Sequence, residues 1–365
     1  MPLVQIDRRS IANFDLLLFL LVIGLNGIGI LNLGSAAGGE GLWKAQLYRF
    51  LLSLLPFAVV IGVSYSNFEK LTPLIYILSL ALLVGVLFFG RQIGGARSWY
   101  DFGFIRLQPS EFVKIAIILV VARIYHRYRG SSPWGLRDLI LPLVLILAPV
   151  ASILKEPDMG TALIILLFSG TMLLFIGIKG RIIVTAVIIA LVSFYPAWKW
   201  GLKEHQKERI LTFVYPERDA MGAGYHSLQS KIAIGSGGLF GKGYKHGTIH
   251  MLRFLPEQQT DFVFSVWAEE WGFVWVAGVL ILYFLLIFRG LQAAREAKDR
   301  FGLMIAVGGV ALIFWHTFIN VAMVVGLFPV IGVPLPFMSY GGSNLITFMI
   351  AVGLIINVRM RKYYF

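Results

Sequence analysis

A chain of 365 residues that is 58% hydrophobic and only 14% charged has too little polar surface for a water-soluble fold, so its solvent is mostly lipid. The absence of cysteine excludes disulfides, thiolate nucleophiles, thiol-held zinc and iron–sulfur clusters. The formal charge of +13 does not argue for nucleic acid, because membrane proteins gather Lys and Arg in cytoplasmic loops for orientation alone.

Arg8 and Arg9 before an apolar run, with Ser35-Ala36-Ala37 after it, superficially resemble a secretory signal. Further apolar runs follow, so the first reads as an uncleaved span. Runs near the roughly 20 residues that cross a bilayer fall at 14–33, 46–65, 71–90, 110–128, 138–154, 158–178, 181–199, 262–288, 303–328 and 338–358. The expected fold class is an all-α integral membrane protein of about ten transmembrane helices, one polytopic membrane domain over 1–365. An even count puts both termini on one side. Half of the 32 basic residues lie in that side's connections, among them Arg8, Arg9, Lys70, Arg123, Arg127, Arg289, Arg295 and Arg359. That excess makes the side cytoplasmic.

A large extracytoplasmic loop, 200–261, separates the seventh and eighth spans, and a connection of that length is usually functional. Within it Tyr225, Leu228 and Ile232 share a helical face suited to the membrane interface.

Three extracytoplasmic segments break the hydrophobic pattern. Arg97-Ser98-Trp99 leads to Gln108-Pro109-Ser110-Glu111, where Pro109 suits the first helical position and Glu111 complements the helix dipole. Lys114 follows Glu111 by three residues, so the two charges share a face at membrane depth, as a structural ion pair or as a site. Glu156-Pro157-Asp158 opens the sixth span, where Asp158 is a helix cap or a site residue. The glycine-rich stretch 235–243 lacks the spacing of a Walker A loop or a dinucleotide fingerprint, although Lys242 beside flexible backbone suits phosphate. Glu257-Gln258-Gln259-Thr260-Asp261 then places a carboxylate where the chain re-enters the bilayer, again as a cap or a site. Near the end, residues 328–342 hold three prolines and three glycines and cannot be continuous helix, so they must be buried in protein or line a cavity.

These segments carry a resemblance. GARSW, RLQPSEFVK, EPDMGTA, GYHSLQSKIAIGSGGLFGKG, LPEQQTDF, EEWGF and GVPLPFMSYGGS stand in the order found in the SEDS proteins (shape, elongation, division and sporulation). Arg106, Gln258 and Pro334 are the choices of the rod-shape, RodA-like branch. The resemblance implies a peptidoglycan glycosyltransferase that polymerises lipid II outside the bacterial cytoplasmic membrane. It implies a class B penicillin-binding protein, a transpeptidase, as partner, together with other proteins of the elongation complex. The family's essential loop aspartate maps onto Asp261, its GARxW arginine and tryptophan onto Arg97 and Trp99, its QPSExxK charges onto Glu111 and Lys114, and its QPD aspartate onto Asp158. Glu257, Gln258 and Thr260 belong to the same loop motif as Asp261. Four positions depart from the pattern: Ser98 for Arg, Glu156 for Gln, Tyr244 for Trp and Gln259 for His. Gln259 beside the mapped aspartate argues against a mechanism in which a histidine at that position handles a proton.

Lipid II is an α-linked sugar pyrophosphate, and making a β-linked glycan from it inverts the anomeric carbon. That displacement needs a base for the incoming hydroxyl and positive charge for the departing pyrophosphate. Asp261 is the candidate for base, hydroxyl-orienting residue or ligand of a divalent cation, Mg or Mn. Arg97, Lys114, Arg209 or that cation would meet the pyrophosphate. Two rivals share the bundle. A lipid II flippase gains nothing from an indispensable carboxylate on the exit side, and a scaffold for wall enzymes has no use for Glu111 and Lys114 at membrane depth.

Overall fold

The computed structural model of the chain describes residues 13–36, 41–93, 96–101, 103, 106–130, 132–156, 158–201, 204–215, 223–247 and 258–362. Among the described residues, eight helices are long and apolar enough to cross a membrane. They are α1 (Leu16–Ala36), α2 (Gly41–Gly62), α3 (Tyr65–Phe89), α5 (Leu136–Lys155), α6 (Met159–Ile176), α10 (Val263–Arg295), α11 (Arg300–Val324) and α12 (Gly342–Met360). Two more occupy the fourth and seventh expected spans. These are α4 (Pro109–Arg127), which carries Glu111, Lys114 and Arg123, and α7 (Gly180–Pro196), which is 17 residues long. Two shorter helices, α8 (Glu204–Val214) and α9 (Ala223–Ser236), lie in the long connection.

Helices α4, α11 and α12 form the interior. α11 packs against α4, α6, α10 and α12, while α12 packs against α2 and α10 against α1. At the end of the bundle where α1 begins and α12 ends, buried Asp15 holds this arrangement through Arg289 at 3.1 Å and through Arg359, tying α1 to α10 and α12. α9 buries Ser230 and Ala233 and leaves Leu228 and Ile232 exposed. The Ser230 hydroxyl lies 2.7 Å from that of Ser265 and donates to the Val324 carbonyl, which fastens α9 to α10 and α11. The exposed pair belongs to the face expected at the membrane interface.

One element departs from the all-α expectation. Three short strands, β1 (Arg91–Ile93), β2 (Ala96–Asp101) and β3 (Arg106–Leu107), form a small antiparallel sheet, with Trp99 opposite Arg91 and Leu107 opposite Tyr100. Asp101 joins its strands by ion pairs to Arg91 at 2.8 Å and Arg106 at 3.6 Å.

Between α11 and α12 the backbone is unwound over 325–341, as the prolines at 329, 334 and 336 require. Peptide groups buried at this depth need partners from elsewhere. Tyr283 of α10 donates to the Pro336 carbonyl. Ser339 accepts from Leu335 N at 2.8 Å and donates to the Thr260 carbonyl at 2.6 Å. Gln46 of α2 takes both the Ser339 carbonyl, at 3.3 Å, and Gly341 N, at 3.2 Å. Gly29 lets α1 cross this segment, since a Cβ there would stand 2.6 Å from Met338 Cα.

A second interruption lies inside α10. Gly272 has φ 75° and ψ −176°, a conformation essentially reserved for glycine, and it breaks the helix's own hydrogen bonding. The turn after α9 fills the gap. Phe273 N and Val274 N donate to Gly238 and Leu239 carbonyls at 2.9 and 3.1 Å, while Lys242 N and Gly243 N donate to Glu269 and Glu270 carbonyls at 3.0 and 2.9 Å. The glycine-rich stretch is therefore a backbone splint for α10. Gly272→Ala should lower stability by about 1–3 kcal/mol from backbone strain alone, read as a drop in thermal midpoint in detergent. Gly278→Ala, in the same helix with open space around it, should stay within about 0.5 kcal/mol of wild type.

Candidate functional site

The expected ion pair forms. Pro109 starts α4, Glu111 occupies its first turn, and Glu111 Oε1 accepts from Lys114 Nζ at 2.8 Å with both side chains buried. Lys114 also lies 3.1 Å from His316 Nε2 and 5.8 Å from the Phe348 ring centroid. Its ammonium is thus engaged inside the protein. Removing one member strands the other's charge in a dry interior, a cost of about 3–5 kcal/mol. Glu111→Gln and Lys114→Met should each lower the thermal midpoint more than the double substitution does. If the double variant is as unstable as the worse single one, the pair is not the source of the effect.

Asp261 sits beside the unwound segment. Its main-chain carbonyl accepts from Asn320 Nδ2 at 2.9 Å, and its carboxylate Oδ2 stands 3.4 Å from where a Cβ on Gly332 would lie. The N-cap position of α10 belongs to Phe262, whose carbonyl receives Ser265 N and Val266 N, so Asp261 is not the helix cap. The residues before it follow the same segment: the Gln259 carbonyl accepts from Tyr340 N at 2.9 Å and the Thr260 carbonyl from Ser339. Gln258 is buried and Glu257 lies outside the described residues.

Asp158 does cap a helix. Its Oδ1 accepts from Thr161 N at 3.0 Å at the start of α6, and its Oδ2 accepts from Gln108 Nε2 at 3.2 Å. The same helix end abuts the unwound segment, because a Cβ on Gly160 would stand 2.7 Å from the Ile331 carbonyl. Asp261, the start of α6 at Gly160 and the unwound segment, far apart in sequence, therefore meet around Gly332, and Gln108 joins them through Asp158 and Ser343.

Glu156, two residues from Asp158, is 1% exposed, and neither carboxylate oxygen has a hydrogen-bond partner among the described residues. Burial pushes its pKa up to about 7, with the Asp158 charge adding to the rise and the facing Ser98 hydroxyl opposing it. Glu156 and Ser98 are both departures from the family pattern. A carboxyl raised this way binds its proton more tightly in the folded state, so its stabilising effect is complete below about 4.5 and lost as pH rises through about 7. The thermal midpoint should fall across that window, and Glu156→Gln should flatten the fall.

The remaining candidates are more scattered. Arg97 is exposed on β2 and Trp99 is half-buried opposite β1. Lys242 pairs with buried Glu269 at 2.7 Å, which answers its charge within the protein. Arg209 lies on α8, and its side chain is outside the described residues. Among the described residues no group of three His, Asp or Glu side chains is placed to hold a metal. Sequence reasoning missed Gln46, His316, Asn320 and Ser339, although polar side chains inside apolar spans were a usable signal.

A polytopic helical membrane bundle with an unwound, multiply clamped segment beside an acidic loop residue is the class of protein that fold and site define. The chain matches the FtsW/RodA/SpoVE family of cell cycle proteins over residues 10–364 and belongs to it. It is 40% identical to the Escherichia coli K12 peptidoglycan glycosyltransferase MrdB, over 96% of this chain and 94% of that one. It is 33% identical to the Treponema pallidum peptidoglycan glycosyltransferase RodA, over 97% and 99%. Among solved structures it resembles a chain of a peptidoglycan synthase complex that coordinates polymerization and crosslinking, with TM-score 0.85, 32% identity and coverage of 96% and 99%. Thermus thermophilus RodA is similar at TM-score 0.74 and 30% identity, over 96% and 98%.

Proposed function

We propose that the chain is a peptidoglycan glycosyltransferase that polymerises lipid II on the outer face of the bacterial cytoplasmic membrane, with both termini and the Asp15 end of the bundle cytoplasmic. The observation that carries this reading is the meeting of Asp261, the start of α6 and the unwound segment around Gly332, with Gln108 joined to them through Asp158, in a chain whose relatives bear that activity's name. The 200–261 connection is then extracytoplasmic, and the undecaprenyl tail of the substrate lies in lipid while its pyrophosphate sugar reaches the Asp261 end.

In the reaction the acceptor sugar's hydroxyl oxygen attacks the anomeric carbon of lipid II. The bond from that carbon to the pyrophosphate oxygen breaks, and the configuration inverts. Asp261 takes the hydroxyl proton or orients the hydroxyl as the new bond forms. The leaving pyrophosphate carries away the bonding electron pair. Arg97 and Arg209 are the proposed cations for it, because Lys114 and Lys242 are engaged by Glu111 and Glu269. Trp99, Gln258, Thr260 and Asp158 shape the surroundings. A divalent cation fits only as an ion held by Asp261 and substrate phosphates, the mode magnesium uses with few protein carboxylates.

A one-to-one complex with a class B penicillin-binding protein, within a larger elongation assembly, would crosslink the strands as they emerge. The likeness to a synthase complex that polymerises and crosslinks supports it. The test is purified protein, with and without that transpeptidase, incubated with lipid II and followed by gel analysis of glycan strands. Asp261→Asn should leave folding and partner association intact and reduce polymerisation by about 10²–10⁴-fold. Near wild-type polymerisation by that variant would remove Asp261 from the chemistry.

A further inference from the structure

Polar side chains buried in an apolar span need a reason, and α11 has two of them one turn apart that the mechanism has not used. His316 is 2% exposed and Asn320 is 0% exposed. His316 Nδ1 lies 3.2 Å from the Pro334 carbonyl, which can only accept, so Nδ1 carries the proton. Nε2 then presents its lone pair to Lys114 Nζ, 3.1 Å away, and the ring sits between the buried ion pair and the unwound segment. One turn on, Asn320 Nδ2 donates to the next carbonyl back, Val333, at 2.7 Å, and also to the Asp261 carbonyl at 2.9 Å. Hydrogen bonds thus link Glu111 through Lys114 and His316 to the Pro334 carbonyl, the Val333–Pro334 peptide bond carries the link on, and Asn320 joins the Val333 carbonyl to the main chain of Asp261.

We infer that His316 and Asn320 are positioning residues, which set the Asp261 carboxylate against the unwound segment and register it to the Glu111–Lys114 pair. Neither touches substrate in this account; each acts through backbone carbonyls. The inference rests on the proposed glycosyltransferase reading for its kinetic consequence, but not for its structural one. Each role has a specific chemical demand. At 316 the side chain must donate at one end and accept at the other, which glutamine can do and leucine cannot. At 320 it must offer two protons to two carbonyls, which aspartate, equal in shape, cannot do.

The experiment uses the full-length protein in complex with its transpeptidase, lipid II polymerisation kinetics, and amide hydrogen exchange on the same samples. His316→Leu should lower turnover by roughly 100-fold, the scale of a small misplacement of a reacting group, with KM for lipid II close to wild type. It should also raise exchange locally at 258–262 and 331–341 while the other helices keep their protection. His316→Gln should recover most of the turnover and the protection. Should His316→Leu not fold, Asn320→Asp is read the same way. Wild-type turnover in the leucine variant, unchanged exchange at 258–262, or a glutamine variant as inactive as leucine would overturn the inference. Wild-type protein that fails to polymerise lipid II would instead overturn the proposed function, and the exchange measurement would still decide the positioning role.

Discussion

The structure depends on keeping a stretch of non-helical backbone buried in a membrane protein. Residues 325–341 supply only a few of their own hydrogen bonds, such as those between Leu335 and Ser339, and lipid offers none, so side chains from several helices supply others: Gln46 from α2, Tyr283 from α10, and His316 and Asn320 from α11. Because these partners come from different helices, satisfying one segment fixes the relative positions of several. The same bonds extend to 259–261 through Tyr340, Ser339 and Asn320, so the acidic loop is located by the solution to the burial problem.

The break at Gly272 follows the same logic on a smaller scale. A helix interrupted by one glycine exposes carbonyls and amides in pairs, and the turn after α9 presents the complementary pairs. Glycines at 238, 241 and 243 with positive φ allow that turn to lie against the helix backbone. The glycine-rich stretch is a structural graft, and the lysine within it is paired to Glu269.

Charge is distributed in keeping with this economy. Glu111 and Lys114 are buried together and tied to His316, whereas Arg97 stays exposed on the small sheet. Cations held in internal pairs stabilise and orient. Under the proposed function, those left at the surface are the ones available to an anionic lipid head group. Glu156 stands apart, a buried carboxyl close to neutral pKa beside the capped start of α6.

Sequence by itself determined the membrane-spanning helices, the bias of basic residues, the ion pair on one face of α4, the broken segment near the end and the family. Each of these is local, written in hydropathy over some twenty residues, in i to i+3 spacing, or in the placement of proline and glycine. Tertiary structure alone decided that Asp158 is a cap and Asp261 is not, that the glycine-rich stretch splints α10, that β1, β2 and β3 pair into a sheet, and that His316 and Asn320 join the ion pair to the acidic loop. Lys114 and His316 are 202 residues apart, and Asn320 and Asp261 are 59. Which buried donor meets which buried acceptor over such separations is set by how the helices pack, and no periodicity within a single helix encodes it.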